Sequence, residues 1–175
     1  RKYASWWTKE KEQEFKNYFT IDFANIEALV QKIQHTLGFK EPPLFLPEII
    51  AHYPNIILRP EENLPQTEPF PPLHSYVQGN QYVISYKAGM EDRPAMRFRI
   101  AKAMAGNFLP SPQSLLPELK SYQKQIQGVQ GNLFAARLLA PLNMLQKEIA
   151  HLNTNQDLTE QLAEIFWVSK GFINR

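Results

Sequence analysis

The chain has 175 residues, 43% apolar and 21% charged, the balance of an ordinary globular domain with room for one sizeable core. Its net charge of +2 is too small to make nucleic acid the expected direct partner, and no apolar run reaches the roughly 20 residues that span a bilayer. It has no cysteine, which excludes disulfides, thiolate zinc sites and cysteine nucleophiles and is compatible with a cytoplasmic location.

Fourteen prolines against seven glycines imply stiff, proline-punctuated connections. The chain opens on Arg1 rather than Met, and "RKYASWW" lacks the apolar core of a signal peptide, so a fragment of a longer protein is expected. Residues Ser5 to Phe19 read as a helix capped by Thr8, without a capping box because Lys11 stands three residues on. Trp6, Trp7, Phe15 and Phe19 would dock it, and residues 1–20 are taken as an appended helix on a single globular unit, 21–175. Asp22 to Gly38 is a second helix. Ile26, Leu29, Val30, Ile33 and Leu37 keep the 3.6 period, and Gly38 is a C-cap. A short third helix starts near Pro47, and Asn55 to Pro60 is a strand.

The stretch from Glu61 to Leu73, with Pro65, Pro69, Pro71 and Pro72, is an extended loop. "HSYVQGNQYVISYKA" is a hairpin turned by Gly79-Asn80. Pro94 opens the helix that contains "MRFRIAKAMAGNF". A proline-rich connector holding Ser111 and Ser114 follows, then a helix that Pro141 ends, a short helix, and a helix turning at Val168-Ser169 into one more. The fold class is α+β, mostly helical with a small antiparallel three-stranded sheet.

Three blocks resemble the ImmA/IrrE family of zinc metallopeptidases. "RFRIAKAMAG" is similar to a family helix reading roughly Arg-Phe-Thr-Leu-Ala-His-Glu-Leu-Gly-His. Arg97, Phe98, Ile100 and Ala101 fit it. "QGNLFAARLLAP" resembles a family segment like Glu-Ala-Asn-x-Phe-Ala-Ala-x-Leu-Leu-Met-Pro through Asn132, Phe134, Ala135, Ala136, Leu138, Leu139 and Pro141. "LTEQLAEIFWVS" is similar to a family tail ending in Phe-x-Val-Ser. The likeness covers Asp22 to Arg175 and implies a zincin-like fold.

A zincin helix needs histidines at i and i+4, which put two imidazoles on one face, and an intervening Glu to activate the bound water. By resemblance, the His positions here are Lys102 and Gly106, the Glu position is Ala103, and the third-ligand Glu from the next helix is Gln130. None suits zinc: a cation, two residues without side-chain donors, and a neutral amide. His35, His52, His74 and His151 show no ligand spacing, so no catalytic residue, no metal and no cofactor are expected.

The scaffold positions survive where the ligand positions are lost, the pattern of a degenerate peptidase. Lys102 and Gln130 should face each other across the former metal cavity, with Lys102 bonded to Gln130 and standing in for the zinc charge as a plug. The other version is a cleft of His74, Tyr76, Lys102, Asn107, Gln130 and Asn132 that binds a peptide strand along the hairpin edge without cutting it. The reading is a pseudopeptidase serving as a protein-binding or regulatory module. By resemblance the partner is a helix-turn-helix repressor of a mobile element or stress gene. The competing readings are a metal-dependent peptidase with non-standard ligands, and a scaffold or nucleic-acid-associated part of a larger protein. "LAEIFWVSKGFINR" looks like the opening of a helix-turn-helix, but no Lys/Arg stripe accompanies it.

Overall fold

The computed structural model describes residues 8–65, 71–110 and 123–174, without the side chains of 15, 17–22 and 123. The docking aromatics Trp6, Trp7, Phe15 and Phe19, and Ser111 and Ser114 of the connector, lie outside what is described.

Helix α1 spans Lys9–Leu37. Thr8 caps it, its Oγ1 accepting from Lys11 N at 3.3 Å. The two helices expected on either side of Thr20 are one element, because no Gly or Pro stands between Phe19 and Asp22 to break the backbone ladder. It ends in a Schellman turn: Gly38 takes φ +66, and Phe39 N donates to Gln34 O at 3.3 Å. Ile26, Val30 and Ile33 are buried, and Leu29 and Leu37 pack partly buried beside them. Helix α2 is Leu46–Ala51, with proline in its first turn.

The sheet contains β1 (Ile56–Glu61), β2 (Leu73–Gln78) and β3 (Gln81–Lys87), in the order β1-β3-β2. The β2/β3 hairpin is antiparallel, from Leu73↔Tyr86 to Gln78↔Gln81. The expectation of an antiparallel sheet fails at β1, which pairs parallel to β3 from Ile56↔Tyr82 to Glu61↔Lys87. Strand β2 lies on the far side of β3 from β1, so the last strand takes the middle. Gly79 has φ +61 and the φ of Asn80 is not positive, the pattern of a two-residue turn with the left-handed residue first.

Helix α3 spans Pro94–Phe108 and α4 spans Gln123–Leu139. They are followed by α5 (Leu142–Ile149), α6 (Leu158–Phe166) and α7 (Lys170–Ile173). Ile84 and Tyr86 of β3 join Met96, Ile100 and Met104 of α3, and Phe134 and Leu138 of α4, in one core. Among the described residues no helix is long and apolar enough to cross a membrane.

Arg97 explains its own place in the motif. It is 3% exposed. Its Nε donates to Trp167 O at 3.0 Å, and both terminal nitrogens donate to Leu44 O at 3.1 Å. Nη2 also reaches Phe166 O at 3.4 Å, and the guanidinium lies 4.6 Å from the Trp167 ring. The cation caps the negative end of α6 and ties it to the entry of α2. Burial pulls its pKa down to about 10.

Candidate functional site

A cleft of about 650 Å3 opens between β2, α3 and α4. The hairpin register sorts its wall. Leu73 and Ser75 share one sheet face with Tyr82 and Ile84, while His74 and Tyr76 share the other with Val83 and Ser85. Ile84 belongs to the core with α3, so Ser75 and Tyr82 are presented to the helix and line the cleft.

Helix α3 supplies the floor. Arg99, Lys102, Ala103 and Gly106 recur at helical spacing, and Gln127, Gln130, Gly131 and Asn132 of α4 close the side. The helices approach closely at Gly131: a β-carbon there would stand 3.1 Å from Lys102 Cγ and 3.6 Å from the Lys102 carbonyl oxygen.

The decisive contact is at Gly106, which the sequence resemblance sets against the second histidine of the zinc-peptidase motif. A β-carbon on it would fall 2.2 Å from Tyr82 Oη and 3.0 Å from Cζ. Tyr82 donates its hydroxyl hydrogen to the Ala103 carbonyl at 2.8 Å and meets Ser75 Oγ at 3.2 Å. With its own proton on the carbonyl, the phenol accepts from Ser75. A tyrosine from the sheet therefore fills the space a side chain at Gly106 would need, and it bonds to the backbone of Ala103.

No family model matches this chain, and no curated protein matches it. The likeness to the zinc peptidases rests on the three sequence blocks.

The six candidate cleft residues fare differently. Lys102, Gln130 and Asn132 line the cleft together. His74 reaches its rim at the strand edge, but its ring stacks on Tyr76 at 5.6 Å, and Tyr76 accepts from Arg59 Nη1 at 2.7 Å. Tyr76 is thus committed to the opposite sheet face. Asn107 is not part of the lining either: its Oδ1 accepts from Asn55 Nδ2 at 2.8 Å and ties α3 to the approach of β1.

The plug expected at Lys102 is also corrected. Lys102 is exposed, its stem rests on Gly131, and it makes no hydrogen bond or ion pair with any described residue. Its ammonium stays at the surface because a lysine stem can cover apolar surface while its head remains hydrated. Partial burial, and then the charge of Arg99, hold its pKa below the ordinary lysine value. Gln130 is buried behind it.

Zinc does not fit the donors present. Among the described residues no three His, Asp or Glu side chains converge on a point, and the lining offers an ammonium, a guanidinium, amides, hydroxyls and the single imidazole of His74. Sequence reasoning missed Ser75, Tyr82 and Arg99. The available signal was Gly106 itself, since a glycine inside a helix loses about 1 kcal/mol against alanine and points to a close approach.

Proposed function

We propose that the chain is a catalytically inactive relative of the ImmA/IrrE zinc peptidases, with their zincin-like fold. It holds an extended segment of a partner protein in the cleft between β2, α3 and α4 without cutting it. It works without zinc, in the cytoplasm, as a regulatory module toward a helix-turn-helix repressor or a protein of that kind.

The observation that carries this reading is the approach of Tyr82 to Gly106. The motif keeps its scaffold residues: Arg97 locks α6, and Ala101 and Ala135 are fully buried. At Gly106, which the resemblance sets at a ligand position, the phenol of Tyr82 from another element stands where a side chain would begin. Loss of a ligand alone would leave a hole. Here the space beside Gly106 is taken by the Tyr82 phenol and its hydroxyl is bonded, which supports a site retired from metal chemistry and kept as a surface.

The cleft retains what capture of a peptide needs. Strand β2 is an edge strand, and polar groups from α3 and α4 stand beside it. The test restores the ligand set with Lys102→His, Ala103→Glu, Gly106→His and Gln130→Glu, with and without Tyr82→Val. One zinc per chain is expected only when Tyr82 is also replaced. A folded five-substitution protein that takes up no zinc contradicts the zincin-like geometry.

A further inference from the structure

The hairpin fixes which backbone groups of β2 are free. A two-residue loop makes Gln78 and Gln81 a hydrogen-bonded pair, and the alternation continues through Tyr76 and His74. Lys87 N donates to Pro72 O at 3.2 Å, which agrees with that phase. Leu73, Ser75 and Val77 therefore turn their N–H and C=O groups outward, and the first two of these line the cleft.

The charge beside this edge has one sign. Arg99 and Lys102 lie one helical turn apart on α3, and no Asp or Glu lines the cleft among the described residues. Lys102 is without an acidic partner among those residues. We propose that the cleft takes an extended segment bearing a carboxylate, paired as an added strand along Leu73, Ser75 and Val77, with the carboxylate on Lys102 beside Arg99. This specificity rests on the proposed peptide-capture reading. Side chains of an added strand alternate between faces, so one residue of the segment is directed toward α3 while its neighbours turn away. Partial burial, and then Arg99, disfavour the charged form of Lys102, and an incoming carboxylate would offset both. The carboxylate is either an Asp or Glu side chain or the terminus of the segment.

The probe is a library of short random synthetic peptides with free C termini, panned on the purified chain at low salt. Recovered sequences are expected to share a carboxylate at one register position. Changing that Glu to Gln should weaken binding about twofold to fivefold, the scale of an exposed ion pair, on the wild type and not on Lys102→Met. If the terminal carboxylate is the group read, amidation gives that loss instead. N-methylation of alternate peptide amides, which leaves the protein unaltered, should abolish binding if the segment adds to β2. Loss on N-methylation without any effect of removing the carboxylate keeps the peptide cleft and overturns its acidic specificity. Binding that survives N-methylation, or recovery of no peptide, overturns strand capture itself.

Discussion

Two side chains, Tyr82 and Arg97, decide most of what can be said of the site. Gly106→Ala sets a methyl against the Tyr82 phenol and should cost about 1–3 kcal/mol by overpacking. Tyr82→Phe removes one bond to the Ala103 carbonyl and one to Ser75, about 1 kcal/mol each. Because the worst approach is to the hydroxyl oxygen, the double variant should lose less than the sum of the two, and urea denaturation of all four proteins measures the coupling. Arg97→Met leaves the carbonyls of Leu44, Phe166 and Trp167 buried without their donor, and a loss of about 3 kcal/mol or more is expected in the same assay. Lysine should not rescue it, since a single ammonium cannot span carbonyls on two elements in the fixed geometry of a guanidinium.

At the scale of elements, the features written locally were legible. Gly38 marked the end of α1, Gly79-Asn80 the hairpin, Pro94 the start of α3 and Pro141 the limit of α4, because each acts through its own backbone geometry. The helix end at Val168-Ser169 was also readable, although it forms through Trp167 at φ 54, with Val168 N donating to Ala163 O at 3.0 Å. The parallel seat of β1 was not readable, since nothing in "NIILRP" records on which side of β3 the strand will lie. Tyr82 was hidden for the same reason: the alternation that sends it toward α3 is local, but the partner it meets lies in another element. The sheet also carries a pH effect. Burial, and then the Glu91 carboxylate, raise the pKa of Tyr86 above 10.0, and burial raises that of Tyr53. The folded state holds these protons more tightly, so their contribution is whole below pH 10 and is lost as pH rises beyond it. Denaturation at pH 9 and pH 11 should show that fall in stability, and Tyr86→Phe should blunt it without abolishing it.

Across the whole molecule, the helices and the sheet share one core, and the cleft opens where β2, α3 and α4 meet. Long-range ties hold that meeting. Arg97 binds α3 to α2 and α6, Asn55 binds Asn107, and Arg137 Nε reaches Glu27 Oε2 at 2.9 Å between α4 and α1. The last pair is partly exposed and contributes well under about 1 kcal/mol, so packing rather than charge joins these helices. The sequence blocks were informative because they record the packed positions. They could not show what stands beside Gly106, since that depends on a tyrosine remote from the motif in sequence. The most direct measurement is zinc content by elemental analysis of the purified chain, paired with calorimetric titration of added zinc. The retired site predicts no stoichiometric zinc and no tight binding. One tightly held zinc per chain would contradict it and would send the search for ligands back to the histidines.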